Sequence, residues 1–599
     1  MRSIRSGLAL CVSIAGGLVL AGAASAGTVP LVSNGVVNVK ALSTATATST
    51  WSKTNEYRAD QESASEMNAA SRFKRFHGIK PSTPTPPTNT VAGADGALGA
   101  SWLGLDHFDQ RTANGGNQFS LEPPDQGLCA GGGYVVEAVN DVLKVYDTSG
   151  NALTPTIDLN TFFGLPAAID RSTGVRGPFL SDPKCYWDTD TQRWFLTILE
   201  EDAAPSVRAH TLIAVSATSD PTGTWRRYSI DATDDGQNGT PSHPNCPCFG
   251  DQPLIGADKY GFYVSTNEFG DASGFNGSQV YAMSKTALEG GFTPVVVQFA
   301  SPPLAEGPGY SIQPATSPSA ADYETGNGGT EYFLSALDFN GTLDNRIAAW
   351  AITNTSSLNT GSPSVTLQSV LVKSENYGQP APADQKAGPH PFGEIGAAIL
   401  YGGPENQPIE TLNTNDDRMN QVVYAGGNLY GGLNTIVQQS GATKAGVAWF
   451  EVRPNAKTKG TMNGHMVAQG YYAPAGQNAL FPSIGVTPGG GKAVITFTVS
   501  GPDYYPSSAY AVLGSSTIHL AAPGVGPEDG FTGYIPFAPD GVARWGDYSA
   551  AVADGGTIWI ADEYIAQSCT VAQYEQDTTC GGTRTALANW ATRVSAIRP

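Results

Sequence analysis

The chain has 599 residues with 71 glycines and 41 prolines, and only 14% of its residues are charged. A hydrophobic content of 40% can fill a large core, which excludes a disordered chain. The formal net charge of −20 would repel phosphate backbones, so nucleic acid is excluded as an expected partner. Frequent glycine and proline with few charges favour many short strands joined by turns.

Residues 1–26 have the pattern of a signal peptide. Arg2 and Arg5 precede an apolar run over residues 8–20, and small residues at 24–26 form a cleavage pattern. The run is too short to span a bilayer comfortably, and nothing later is long and apolar enough to do so. We therefore expect an exported protein, secreted or periplasmic, without an integral membrane segment.

Residues 27–100 differ in composition from the rest of the chain. Ala, Ser and Thr dominate residues 41–50, and the Pro-rich stretch 81–87 is typical of an extended linker. The basic cluster Arg72–Arg75 is a candidate processing site, which makes this region a candidate pro-segment; a solvated basic patch is the alternative. We assign residues 101–599 to the main domain.

A unit recurs in the main domain, with a period of about 60–70 residues. Each unit opens with a polar residue, usually acidic, near Pro or Gly, and continues with an apolar strand and an aromatic-rich strand. The seven openings are anchored at Asp125, Asp182, Asp251, Gln313, Asp417, Ser483 and Asp547.

This repeat predicts an all-β fold with a single β-propeller of seven blades, each with four antiparallel strands. The longest interval, between residues 313 and 417, is assigned to an insertion around 379–408; an eighth blade near residues 392–395 is the alternative. Stacked β-sandwich domains are the runner-up, but they would not require a polar opening in every unit. A strand around 591–594 is expected to close the ring beside the first blade.

Several segments resemble a known group of proteins. Glu122–Asp125, Ser181–Asp188 and the sequence RWGDYS at Arg544–Ser549 are similar to segments of secreted bacterial β-propeller proteins. The resemblance runs from about residue 120 to 599. This group is largely uncharacterised, so the resemblance implies a propeller fold and little about chemistry.

A second, local resemblance concerns Thr218–Trp225, which is similar to the Asp-box of sialidase-like propellers. Thr222 occupies the usual glycine position, so the match is imperfect. In that motif the aspartate ties a hairpin turn to the backbone. The resemblance therefore implies a structural role for Asp220 and not a catalytic one.

If each opening begins the innermost strand of a blade, the aspartates converge on one end of the central channel. Crowded carboxylates raise one another's pKa, which suits acid–base chemistry or cation binding, and paired carboxylates can hydrolyse glycosides. The candidate catalytic residues are Asp251, Asp547, Asp182 and Asp417. The alternative is that a repeated aspartate caps a turn in every blade.

The candidate substrate-binding residues lie beside these acids or at the ends of second strands. Arg418 and Arg544 each neighbour an anchor, where they could bind a carboxylated sugar or lock the acids into ion pairs. Glu268 and Glu563 end the second strands of their units.

The six cysteines beyond the signal peptide are an even number, as expected for disulfides in an oxidising compartment. Cys569 and Cys580 bracket a polar loop and are the proposed pair, whereas Cys129, Cys185, Cys246 and Cys248 cannot be paired from sequence. His243 near the Cys246–Cys248 motif is a candidate metal ligand, although the spacing is not that of a usual zinc site. The candidate cofactor is calcium, for which turns such as Asn415–Asp417 offer oxygen ligands.

These residues predict a carbohydrate-active enzyme, either a glycoside hydrolase or a polysaccharide lyase, acting on extracellular polysaccharide at the channel mouth. The alternative is a non-catalytic propeller that binds glycans or proteins at the cell surface. The sequence lacks a G-x-S-x-G elbow, an H-E-x-x-H motif and a P-loop, so serine hydrolase, zincin and nucleotide-binding functions have no support.

Overall fold

A computed structural model describes residues 26–42, 81–270, 274–304, 307–337, 343–457, 461–535, 537–538 and 540–599. The apolar run of the predicted signal peptide and the basic cluster at 72–75 lie outside these residues. The described chain is built mainly of β-strands, which confirms the all-β prediction. None of its helices is long and apolar enough to cross a membrane.

The strands form because β-branched and aromatic residues alternate with turn residues along the chain. In the first hairpin, Gly131 ends one strand and Tyr134 begins the next, with Gly132 and Gly133 between them. Both linking glycines have positive φ, 57° and 90°, which a tight two-residue hairpin requires and only glycine adopts easily.

The first four of seven four-stranded antiparallel units span residues 126–377. Unit 1 comprises Gln126–Gly131, Tyr134–Val139, Val142–Asp147 and Ile157–Asp158. Unit 2 comprises Phe179–Asp188, Arg193–Glu201, Ala209–Ser216 and Thr224–Asp231. Unit 3 comprises Cys248–Ala257, Gly261–Gly270, Gly274–Ser284 and Val296–Ala300. Unit 4 comprises Gln313–Thr316, Thr330–Ser335, Asp344–Thr353 and Thr366–Tyr377.

The remaining three units span residues 422–597 and take one strand from near the N-terminus. Unit 5 comprises Val422–Ala425, Asn428–Gln439, Ala442–Asn455 and Asn463–Tyr472. Unit 6 comprises Asn478–Val486, Ala493–Gly501, Tyr504–Val512 and Thr517–Ala522. Unit 7 comprises Ala550–Asp554, Thr557–Tyr564, Ala591–Ile597 and Leu98–Asp106. A short parallel pairing between the first strands of units 4 and 5 joins these two units into one sheet.

Three units open with a β-bulge at the position where the sequence repeat is most regular. Asp182, Gln252 and Phe481 have φ of 59°, 50° and 55°, and each precedes a proline. In each of the three strands, the hydrogen-bonded ladder to the second strand skips the residue with positive φ and the proline that follows it. Residues in a bulge are not paired in the ladder, so the missing N–H of proline costs no hydrogen bond there. This explains how proline is tolerated in an inner strand.

Hydrophobic clusters fill the space between each unit and the next, from unit 1 to unit 7 and from unit 7 back to unit 1. In the last of these interfaces, Trp102 lies 5.6 Å from both Tyr146 and Trp559 between ring centroids. The strand Ala591–Ile597 pairs antiparallel with Leu98–Asp106, so both ends of the main domain build unit 7. The seven units therefore form a closed ring.

Part of the segment 27–100 adds outer strands to the ring. Ala26–Val29 pairs with the last strand of unit 3, and Val32–Asn38 pairs with the last strand of unit 2. Thr90–Ala92 pairs parallel with the last strand of unit 6. Stretches of this segment thus lie on the ring as edge strands, an arrangement that its composition did not indicate.

The segment between units 4 and 5 contains helices where the sequence allowed an eighth blade. Phe392–Gly396 is a π-helix that continues into the α-helix Ala397–Tyr401, so the alternative of an eighth blade here is wrong. Asp529 accepts hydrogen bonds from the backbone N–H groups of Phe392 and Gly393, which ties the insertion to the segment before unit 7. The strands Thr411–Leu412 and Val542–Ala543 pair parallel at the same place.

Short elements complete the described fold. The other α-helices are His107–Gly116, Leu159–Phe163, Lys285–Gly290 and Val571–Gln576. The 3₁₀ turns are Val39–Ala41, Ala320–Asp322, Gly326–Gly328, Thr355–Asn359, Pro488–Gly490 and Phe531–Gly533. Two small hairpins pair Ile169–Asp170 with Val175–Arg176 and Pro303–Leu304 with Gly307–Pro308.

Replacing Trp559 by alanine should destabilise the protein, because the indole fills the interface between units 7 and 1. We expect a loss of about 3–5 kcal/mol in unfolding free energy, measured by urea denaturation, since a large buried aromatic leaves a cavity. Val467→Ala is the control: its side chain is 47% exposed, so the change should stay within about 0.5 kcal/mol. Equal effects of the two substitutions would contradict ring closure through this interface.

Candidate active site in the central channel

The inner strands of the units surround a narrow cavity on the ring axis. Its walls come from units 1, 2, 3, 4 and 7 and from the residues that precede unit 5. The polar lining residues are Gln126, Lys184, Tyr186, Gln252, Gln313, Thr316, Arg418, Asn420, Gln421 and Tyr548. Its accessible space is about 30 Å³, enough for one or two water molecules.

A cluster of three buried aspartates lies in or just before the strands that line this cavity. Carboxylate oxygens of Asp125, Asp182 and Asp547 lie within 4.8 Å of one another. The backbone N–H of Asp547 donates to Asp125 Oδ1 at 2.8 Å. Asn415 Nδ2 donates to Asp547 at 3.0 Å, and Arg544 lies 3.2 Å from the same carboxylate. The structure thus brings together three of the acids that open different units.

Burial and mutual repulsion determine the electrostatics of these three carboxyl groups. Burial, followed by the charges of Asp547 and Asp182, raises the pKa of Asp125 well above its usual value. The positive charge of Arg544 opposes this shift of the Asp125 pKa. Calcium at this cluster stays a prediction.

The cavity lining does not include the four aspartates predicted to be catalytic. Asp182 and Asp547 belong to the buried cluster, while Asp251 and Asp417 are buried nearby, 4% and 1% exposed. Asp251 also occupies a different position from Asp182: it aligns with Ser181, because Asp251 comes just before the bulge of its strand whereas Asp182 is the first residue in the bulge. The repeated aspartates are therefore not one set of equivalent groups.

Arg418 reaches the cavity, as expected of a substrate-binding candidate. Its Nε lies 2.8 Å from Asp416 Oδ1, and its guanidinium lies over the ring of Tyr310. Although burial alone would raise it, the Arg418 charge keeps the pKa of the Asp416 carboxyl below its usual value. Arg418 thus forms an ion pair with Asp416.

Lys184 and Tyr548 are the ionisable groups that face the cavity most directly, and the sequence analysis did not identify either as functional. The Lys184 ammonium lies 2.9 Å from the centroid of the Tyr548 ring and donates to the carbonyl of Gln126 at 3.3 Å. Burial lowers the pKa of Lys184 to about 7 despite the nearby carboxylates. Burial and the charges of Asp182 and Asp125 raise the pKa of Tyr548 well above its usual value.

Buried polar atoms around the cavity lack hydrogen-bond partners among the described residues. They are Gln126 Nε2 and Oε1, Gln252 Nε2 and the hydroxyl of Tyr548. The two glutamines are 1% exposed and Tyr548 is 5% exposed. Buried amides and hydroxyls are normally paired, so these groups are suited to a ligand that carries several hydroxyls.

Glu268 belongs to a separate polar network on unit 3. Its carboxylate accepts from Gln279 at 3.1 Å and lies 2.7 Å from His243 Nδ1, which also faces Asp234. Burial lowers the pKa of His243, but hydrogen bonds to Asp234 and Glu268 raise it to about 10. His243 is therefore an imidazolium in a structural ion pair, which does not favour the metal site considered from sequence.

Glu563 is buried close to further buried glutamates. Burial, followed by the charges of Glu528 and Glu122, raises the pKa of Glu563 well above its usual value. Burial raises the pKa of Glu410 to about 8. These acids face the insertion and the segment before unit 7, and not the cavity.

The cysteines form three disulfides in the structure. Cys569 is joined to Cys580, the pair proposed from sequence, and Cys246 is joined to Cys248. Cys129 and Cys185 join the first strands of units 1 and 2 across the channel wall. The sulfur of Cys246 is therefore engaged and is not available beside His243.

Comparisons with known proteins gave limited information. No family model matches the chain, and no curated protein matches it. An exo-β-1,3-galactanase from Clostridium thermocellum is 11% identical over 68% of this chain and 78% of its own, with a TM-score of 0.25. A Hadza microbial sialidase is 9% identical over 78% and 73%, with a TM-score of 0.32. Similarity at this level does not indicate a shared activity.

The raised pKa of Glu410 should make the protein less stable as the pH rises, because the folded state then loses the proton that it holds on this carboxyl group. Its pKa is about 8 in the fold against 4.5 for an ordinary glutamate, so the folded state binds more protons between these values. Unfolding free energy must then fall as pH increases through this window. Glu410→Gln should flatten the fall of the melting temperature, whereas the exposed control Glu575→Gln should leave it unchanged. A steeper fall in Glu410→Gln would contradict this assignment.

Proposed function

We propose that the seven units are the blades of a single β-propeller and that this exported protein acts on extracellular polysaccharide at the mouth of the central channel. The observation that carries the proposal is the set of buried, unpartnered amide and hydroxyl groups around the cavity. A sugar offers hydroxyl donors and acceptors at the spacing of such groups, and the Tyr548 and Tyr186 rings supply apolar surface.

The position of the carboxylates favours one of the two reaction types considered. Hydrolysis of a glycoside by two carboxyl groups requires both to reach the glycosidic bond. The aspartates lie outside the cavity lining, where they interact with Arg544, Asn415 and backbone groups. Hydrolysis by a pair of carboxylates is therefore the less well supported of the two reactions.

A second candidate function is glycan binding without turnover. The observation in its favour is that the aspartate cluster is satisfied by internal partners, as expected of a rigid scaffold. In that case the cavity amides would bind the glycan, and no bond would be cleaved.

Substituting the cavity glutamines should weaken glycan binding under either candidate. We expect Gln126→Ala and Gln252→Ala each to raise the Kd by roughly tenfold, because one hydrogen bond to a buried polar group contributes about 1 kcal/mol or more. The measurement is isothermal titration calorimetry with the glycan selected by an array of extracellular polysaccharides.

Gln379→Ala is the matched control, since this side chain is exposed outside the cavity. Unchanged affinity in all three variants would place glycan binding elsewhere on the protein and contradict the proposal. Failure of the wild-type protein to bind any polysaccharide on the array would contradict it as well.

A further inference from the structure

We propose that the disulfide between Cys246 and Cys248 exchanges with cysteine thiols of other molecules, and that Cys246 is the sulfur that they attack. The protein then oxidises a pair of thiols to a disulfide, an activity that does not depend on the proposed function with polysaccharide. The disulfide lies in the exposed turn that leads into the first strand of unit 3, beside the imidazole of His243.

Cys246 is the accessible cysteine of the pair. It is partly exposed, and its neighbours Asn245 and Pro247 are both exposed. Cys248 is only 4% exposed, because it already belongs to the first strand of unit 3. An incoming thiolate therefore reaches Cys246 more easily than Cys248, and exposed disulfides are the ones that exchange most readily.

The same disulfide contributes little to the stability of the fold. Its two cysteines are separated by two positions in the chain, whereas the other two disulfides join cysteines 56 and 11 positions apart. The conformational entropy that a disulfide removes from the unfolded chain grows with the length of the loop that it closes. The disulfide between Cys246 and Cys248 therefore has the smallest structural role of the three.

Hydrogen bonds hold the turn in place without the disulfide. The backbone N–H of His243 donates to the carbonyl of Asp234 at 2.8 Å, and that of Cys248 donates to the carbonyl of Thr233 at 3.0 Å. Asn276 Nδ2 donates to a backbone carbonyl of the same turn at 2.8 Å. Because these bonds do not involve the sulfurs, the turn keeps the two cysteines close together after reduction, and the disulfide can form again.

His243 and Asn276 stabilise Cys246 in its thiolate form. A ring nitrogen of His243 lies within 4.8 Å of Cys246 Sγ, and Asn276 Nδ2 donates to the same sulfur at 3.9 Å. A cationic neighbour and a hydrogen-bond donor both favour a thiolate over a thiol. Cys246 is therefore a good leaving group when a mixed disulfide is resolved.

Two carboxylates keep the His243 ring charged. Although burial lowers it, hydrogen bonds to Asp234 and Glu268 raise the pKa of His243 to about 10, so the ring is an imidazolium at neutral pH. Each carboxylate also accepts from a glutamine, Glu268 from Gln279 at 3.1 Å and Asp234 from Gln298 at 3.2 Å. These bonds disperse the negative charge of the carboxylates, which would otherwise oppose a thiolate at Cys246.

The exchange is a two-electron oxidation of the substrate. A substrate thiolate attacks Cys246 Sγ, the S–S bond breaks, and Cys248 leaves as a thiolate that takes a proton from water. A second substrate thiolate attacks the substrate sulfur of the mixed disulfide, and Cys246 leaves as a thiolate beside His243. The substrate has then lost two electrons and gained a disulfide, and the protein holds two reduced cysteines. A low-molecular-weight disulfide such as oxidised glutathione restores the protein by the reverse exchange.

The first experiment measures how fast each of the three disulfides is reduced. Wild-type protein is treated with reduced glutathione, quenched with acid, unfolded and alkylated with iodoacetamide, and mass spectrometry of its peptides reports the reduction of each disulfide. We expect the disulfide between Cys246 and Cys248 to be reduced roughly tenfold faster than the other two, or more. Equal rates at all three disulfides would overturn the proposal.

The second experiment measures oxidation of a synthetic peptide with two cysteines, with oxidised glutathione as the source of disulfide. Wild-type protein should accelerate this oxidation, and Cys246→Ser should reduce the rate to the background without protein. Cys248→Ser should trap a mixed disulfide between Cys246 and the peptide, detected by mass spectrometry. Ser242→Ala, at an exposed position of the same turn, is the control and should keep the wild-type rate. No acceleration by wild-type protein, or full activity of Cys246→Ser, would overturn the proposal.

The third experiment tests His243 as a positioning residue for the Cys246 thiolate. In the Cys248→Ser variant, the free thiol of Cys246 is titrated through the pH dependence of its alkylation rate. Adding His243→Gln should move this titration to higher pH, by about one pH unit, because the imidazolium no longer stabilises the thiolate. His465→Gln, at an exposed histidine, should leave the titration unchanged. A titration that His243→Gln leaves in place or moves to lower pH would overturn the role of His243.

Discussion

The packing of apolar sheet faces between neighbouring units is the interaction on which the rest of this structure depends. No single four-stranded unit can bury both of its faces, and each interface is filled only because the next unit supplies the opposite side. The ring closes because Leu98–Asp106 pairs with Ala591–Ile597 in unit 7. Closure fixes the inner strands around one axis, so residues far apart in sequence face a common cavity.

This constraint explains the electrostatics of the channel. Aspartates that open separate units are brought together by the ring and not by local sequence, and the Arg544 charge opposes the rise in the Asp125 pKa that their proximity causes. The same buried environment acts on the two ionisable groups of the cavity wall. Burial lowers the pKa of Lys184 to about 7 and raises the pKa of Tyr548 well above its usual value.

Much of the fold could be predicted from the sequence, because turn residues and apolar strands repeat at a regular interval, and each anchor lies in or beside an inner strand. The site was harder to predict. Asp182 and Asp251 look equivalent in sequence, but Asp182 lies in the bulge of its strand whereas Asp251 comes just before the bulge. Lys184 lies two residues after an anchor, and no motif marks it. Its environment depends on burial and on Tyr548, 364 positions later in the chain, which only the closed ring brings into contact.

The central claim is that the mouth of the central channel binds a glycan chain. A crystal structure of the protein soaked with a short oligosaccharide of the polysaccharide that it binds would test it most directly. We predict that a sugar unit lies at the channel mouth, beside Gln126 and Gln252. An oligosaccharide found only on the outer edges of the units would contradict the account.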